Sequence, residues 1–218
     1  MFGIILKDYY ESFCIKKNLI GFLFSIACLI FLTIFVQNMY ALVLMIVITL
    51  PMISVSPLQY SLEQDEISNY DKILLTFPLT RKEIVSSKLL GTYIFAVLSN
   101  FCISLPILLI YVCIYQIADF QNGMWIFLFG VIMSLIMLPI NNVGFFWLGN
   151  KKGTILYIVL LVVLAVSYII SNFSIGINQL LEISPIYWAV IGLGIATILN
   201  IIGYFACIKV QFTRDYTG

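Results

Sequence analysis

The chain is 218 residues long, 62% hydrophobic and only 10% charged, with a net charge of +1. A soluble domain carries about a quarter charged residues, so this composition cannot cover a water-facing surface, and the near-neutral balance gives no reason to expect nucleic acid as a partner. Histidine is absent, which removes His-dependent triads, most zinc sites and histidine pH switches. No catalytic, cofactor-binding or metal-ligating set emerges from the residues. Cys14, Cys28, Cys102, Cys113 and Cys207 show no ligand spacing, and all but Cys14 sit in apolar stretches, as small core residues do. No cleavable signal peptide is expected: the first apolar stretch follows Lys16 and Lys17, is too long for an h-region and lacks an Ala-x-Ala site.

In chain order, residues 2–17 come first. Phe2, Ile5, Leu6, Tyr9 and Phe13 recur at helical spacing, with Lys7, Asp8, Glu11 and Lys17 elsewhere on the wheel. An amphipathic helix lying in the headgroup layer is expected, either as a plain anchor or with a further role.

The gaps between charges then set the spans. Lys17 to Glu63 encloses 45 uncharged residues, Lys88 to Asp119 encloses 30, Asp119 to Lys151 encloses 31, Lys152 to Glu182 encloses 29, and Glu182 to Lys209 encloses 26. One crossing takes about 20 apolar residues, so the first gap holds two helices and each of the others holds one. The first gap divides at the polar run Gln37-Asn38-Met39-Tyr40. Six helices are expected at about 19–36, 41–60, 89–115, 123–148, 153–172 and 185–208 in a single all-α transmembrane domain covering 1–218. Lipid cannot satisfy exposed backbone groups, and no alternating barrel pattern is present.

With six spans, all eleven Lys and Arg residues fall on one side, and the other side carries only Asp119 and Glu182. The positive side is cytoplasmic by the usual rule, so both termini are expected there in a plasma membrane. Tyr40, Tyr111, Tyr115, Trp125, Tyr187 and Trp188 fall near the outer boundary. The outer loops are too short for an external domain.

Residues 61–88 hold nine of the charged residues. A short helix over 68–77 would show Tyr70, Ile73, Leu74 and Phe77 on one side until Pro78 interrupts it. Thr80 is then a candidate N-cap, with Glu83 completing a capping box, and a second helix runs into the third span. Such a helix–proline–helix element suits docking to a soluble protein, or is an ordinary loop whose charges only set topology.

Within the spans no Asp, Glu, Lys or Arg occurs. Asn100, Asn141, Asn142 and Asn200 share roughly one depth, about 10–18 Å from the cytoplasmic edge. They are either interhelical hydrogen-bonding glue or part of a polar cavity. An uncharged, aromatic-rich cavity suits an amphipathic passenger better than an ion.

Phe77-Pro78-Leu79-Thr80-Arg81-Lys82-Glu83-Ile84-Val85-Ser86-Ser87-Lys88 resembles the Leu-Pro-x-Ser/Thr-Arg-x-x-Ile-Val-x-x-Lys signature of small type-2 ABC exporter permeases. Asp65, Glu66 and Tyr70 match the acidic and aromatic positions upstream, and Phe77 replaces the usual Leu. The plan of an N-terminal amphipathic helix and six spans fits that family over the whole chain. Within it, the chain is similar to permeases of Gram-positive peptide-toxin and bacteriocin exporters.

The resemblance implies a coupling segment made of Tyr70, Ile73, Leu74, Phe77, Pro78, Leu79, Thr80, Arg81 and Lys82. That segment would dock on a separate ABC ATPase subunit, which binds the ATP and Mg; this chain binds no cofactor. Gly149-Asn-Lys-Lys-Gly-Thr154 has the wrong order and spacing for a phosphate loop. A second permease chain, identical or not, would complete a dimer. The alternative is the substrate-binding subunit of a vitamin importer, for which 19–36 offers only scattered small residues. An intramembrane enzyme has few groups with which to activate water, and a structural or immunity protein is a further reading.

Overall fold

The computed structural model describes residues 2–74, 76–174 and 184–213, and all its regular structure there is helical. Seven elements follow in order: α1 (Phe2–Phe13), α2 (Lys16–Phe35), α3 (Met39–Ser68), α4 (Tyr70–Leu74), α5 (Arg81–Ile114), α6 (Phe120–Ser174) and α7 (Pro185–Thr213). The five long helices α2, α3, α5, α6 and α7 are long and apolar enough to cross a membrane.

At about 1.5 Å per residue, the 55 residues of α6 would far exceed one bilayer core of about 30 Å. The helix instead breaks at Gly149, whose φ of 75° and ψ of 176° only glycine adopts readily. The chain doubles back there. Gly144 lies against Leu156 and Gly153 against Phe145, so the two arms pack as a hairpin. The second arm also runs antiparallel to α3: Gln59 donates to Thr154 (3.3 Å), Tyr157 to the Met52 carbonyl (3.3 Å) and Tyr168 to the Tyr40 carbonyl (2.7 Å). The five long helices thus supply five to six apolar helical segments, counting the two arms of α6 separately. The expected loop between the fifth and sixth spans lies largely outside the described residues, as do Glu182 and Arg214.

Helix α3 is the spine of the bundle: 67% of its most apolar stretch is buried, against 17% for α2. Leu42, Met45, Ile46 and Leu50 meet Leu108, Tyr111 and Ile126 in one core, and Val55 and Leu58 meet Val85, Leu138 and Phe145 in another. Asn38 starts α3 by accepting from the Ala41 amide. Two of the long helices are not regular. Turns of wider, π-helical form occur at Leu44–Thr49 in α3, ahead of Pro51, and at Asn100–Ser104 and Ile110–Ile114 in α5, on either side of Pro106. A proline leaves a carbonyl without its amide partner, and a wider turn is one way to absorb the fault. Gly130 of α6 fits against the first of these turns, where a Cβ would come 2.7 Å from the Ile46 carbonyl oxygen.

One boundary and one burial pattern differ from expectation. Helix α3 continues to Ser68, so 61–68, assigned from sequence to the loop, extend the second span as helix. Of the cysteines expected in the core, only Cys207 is buried; Cys28, Cys102 and Cys113 face outward in the apolar belt, where a small apolar residue contacts lipid as readily as protein.

Charged residues gather at one end. Lys17 pairs with Glu63, Lys7 with Asp65, the Asn150 amide donates to Glu66 (2.9 Å), and Arg81 donates to the Gln211 carbonyl (3.2 Å). The start of α2, the end of α3, the α6 hairpin turn, the start of α5 and the end of α7 therefore share this end.

Candidate functional site

The segment joining α3 to α5 is built by three local rules. Asn69 adopts the left-handed conformation (φ 50°) that ends α3, as Asn commonly does after a helix. Helix α4 then runs only from Tyr70 to Leu74, shorter than the 68–77 helix expected from sequence, its start set by the turn at Asn69. Thr80 starts α5 with the capping box: its backbone amide donates to Glu83 Oε2 (2.7 Å), and its hydroxyl accepts from the Glu83 amide (3.3 Å).

The segment has an inner and an outer row. Leu74, expected on the displayed face, is instead buried against Ile4 and Ile84, with Tyr70 and Leu79 half-buried against the same cluster. Helical spacing alone could not show that α1 lies beneath. Ile73, Phe77, Pro78, Thr80 and Lys82 are exposed. Arg81 is half-buried, its guanidinium directed to the end of α7. Ile67, 67% exposed at the end of α3, adds to the outer row and was not singled out from sequence.

Beneath the segment lies an ionic cluster that sequence reasoning missed. Lys88 Nζ donates to Asp65 Oδ2 (2.7 Å) and Ser61 Oγ (3.0 Å), and lies 3.3 Å from Asp8 Oδ1. Lys7 pairs with Asp65 and with Glu11 (2.9 Å), and its ammonium sits 4.1 Å from the centre of the Tyr70 ring. Burial pushes the Glu11 carboxyl above its ordinary value, with Lys7 opposing the shift. The wheel of α1 departs from expectation in part: Ile5 is buried and Tyr9 and Phe13 are half-buried, but the polar residues do not all face water. Asp8 turns into the protein, Lys7 and Glu11 are half-buried beside it, and Phe2, Leu6 and Tyr10 face out. A buried Lys88 requires partners, and α1 supplies one of them. The only advance signal was the acidic Asp65 upstream of the signature and its terminal Lys88.

The asparagines bridge helices. Asn100 donates to Ser134 Oγ (3.2 Å) and Asn142 to Thr92 Oγ1 (3.4 Å); Asn200 donates to the Leu135 carbonyl (2.8 Å) and accepts from Tyr93. Asn141 donates to the Met137 carbonyl within its own helix and faces Met52. The oxygens of Asn141 and Asn142 are buried without a hydrogen-bond partner among the described residues. Asn200 also borders an open groove of about 420 Å³ with Tyr93, Leu135, Ile201, Tyr204 and Phe205.

A bundle of long apolar helices with most of its charges collected at one end defines a multi-pass helical membrane protein. A family model for ABC-2 family transporter proteins matches residues 3–211, and the chain belongs to that family. No curated protein and no solved structure gives a significant match. Members of this family are membrane subunits without catalytic activity of their own. The vitamin-importer alternative gains no support from the match.

Proposed function

We propose that the chain is the membrane-spanning permease subunit of an ATP-driven exporter, with the segment from Tyr70 to Lys82 docking in a groove of a separate ABC ATPase. The observation that carries this reading is the two-row construction of the segment. Its inner row is fixed in the protein, while Ile73 and Phe77, 46% and 48% exposed, stand out beside Lys82 at the charged end. Exposed apolar groups on a polar-flanked element are what a protein groove recognises. The excess of basic residues at this end supports a cytoplasmic orientation, on the side where ATP is.

Two permease chains and two ATPases form the working unit, in a bacterial plasma membrane, with ATP and Mg held by the partner. Closure of the ATPase pair pushes on the segment and rocks the bundles, changing the side to which the path between them opens. The passenger is an amphipathic peptide, since the spans offer amides, hydroxyls and aromatic rings but no fixed charge at mid-depth.

Co-expression of the tagged chain with its ATPase tests the docking. A stoichiometric, detergent-stable complex that hydrolyses ATP, and that is lost in Ile73→Asp and Phe77→Asp, is the expected result. A chain that purifies alone and binds no ATPase would overturn the reading. In reconstituted vesicles, amphipathic peptides and not simple sugars should alter the ATPase rate.

A further inference from the structure

The docking segment rests on α1, and α1 is fastened to the spans by charge. Leu74 packs on Ile4, and the Tyr70 ring covers the Lys7 ammonium. From α1, two ionic legs reach the bundle: Lys7 to Asp65 at the end of α3, and Asp8 to Lys88 near the start of α5. The Asp65–Lys88 pair closes the figure, so three helices meet at one buried point.

Ser61 fills a further position on Lys88, and Ser12 of α1 donates to the Asp8 carbonyl (2.7 Å) and to the Pro57 carbonyl (3.3 Å). Tyr9 of α1 donates to the Gly91 carbonyl (2.7 Å) on α5. Such a cluster is a costly way to gain stability, because well-packed apolar residues would serve as well. It is a specific way to fix three helices in one mutual orientation, since each charge is satisfied in one arrangement only.

We infer that α1 is a transmission plate: Lys7 and Asp8 are positioning residues that make α1, α3 and α5 move as one body when the docked segment is pushed. The inference rests on the permease reading. Without the two legs, α1 would be held to the spans only by the Ser12 and Tyr9 hydrogen bonds and apolar contacts, and the spans would lag behind α1 when the segment is pushed.

The test uses the full permease–ATPase complex in lipid nanodiscs, with the native cysteines replaced and spin labels at Tyr10→Cys on α1 and Leu90→Cys on α5, both exposed sites. Distances are measured without nucleotide and after trapping with ATP, Mg and vanadate. In the parent the α1–α5 distance should be the same in both states. In the double variant Lys7→Gln/Asp8→Asn it should shift on trapping, while ATP hydrolysis persists. This variant leaves net charge unchanged and keeps the Asp65–Lys88 pair. Should it fail to accumulate, Asp8→Asn alone cuts one leg and should give the smaller shift of the same kind.

A distance that changes on trapping in the parent, or that stays fixed in a hydrolysing variant complex, would overturn the transmission role. A parent chain that forms no hydrolysing complex would overturn the permease reading beneath it, and the two failures are separately visible.

Discussion

Lys88 Nζ lies 2.7 Å from Asp65 Oδ2, with both side chains only 4% exposed, near the end of α3 and the start of α5. Removing one partner of a buried pair strands the other charge and costs about 3–5 kcal/mol. Lys88→Met should therefore destabilise strongly, leaving Asp65 with Lys7 alone and Asp8 without its span partner. Combining it with Asp8→Asn should recover part of the loss, because the stranded carboxylate is gone. Thermal unfolding in detergent of the two single variants and the double would measure this; strictly additive effects would show that the groups are not coupled.

Glu11 behaves in the opposite way. Its folded pKa is raised above 4.5 by desolvation, so the folded state holds its proton more tightly than the unfolded chain. A carboxyl of this kind contributes stability that is full below the unfolded value and is lost as pH rises through the folded one. Near neutral pH it is a burden. Glu11→Gln should leave stability unchanged or slightly raised at pH 7 and should flatten the weak decline between acid and neutral pH. Unfolding midpoints of both proteins across that window decide the matter, and a marked loss at pH 7 would mean that the Lys7 pairing outweighs burial.

The glycines separate into tight and open sites. At Gly130 a Cβ would lie 2.7 Å from both the Ile46 side chain and its carbonyl oxygen, and the carbonyl belongs to a widened turn that has little freedom to give way. At Gly194 nothing lies within 4 Å. Gly130→Ala should destabilise by about 1–3 kcal/mol through overpacking, whereas Gly194→Ala should be neutral or stabilising by up to about 1 kcal/mol through helix propensity. Paired unfolding curves test the contrast.

Much of this arrangement was legible because lipid leaves few options. Uncharged gaps gave the long apolar helices, the Thr80–Glu83 spacing gave the start of α5, and the gaps that meet at Lys151 and Lys152 gave the break within α6. What stayed hidden depends on partners far along the chain. The inward turn of Asp8 is decided by Lys88, 80 positions away, and the burial of Leu74 by Ile4. A helical wheel averages over one helix and carries no knowledge of the helix beside it. The π-turns were equally hidden: Pro51 and Pro106 interrupt the hydrogen bonding of α3 and α5, but whether a fault becomes a kink or a widened turn is settled by packing.

The two rows of the docking segment give the sharpest contrast between folding and function. Leu74 is 3% exposed and Phe77 is 48% exposed, only three positions apart. Leu74→Ala removes buried methyl groups over Ile4 and Ile84 and should cost about 2–4 kcal/mol of stability. Phe77→Ala removes a half-exposed side chain that belongs to none of the buried clusters, and should leave stability within about 0.5 kcal/mol of the parent. If the outer row is the contact to the ATPase, Phe77→Ala should nonetheless weaken co-purification at least tenfold, since a buried aromatic anchor carries about 2 kcal/mol or more of binding energy. Unchanged binding in Phe77→Ala, with stability also unchanged, would remove the outer row from the interface.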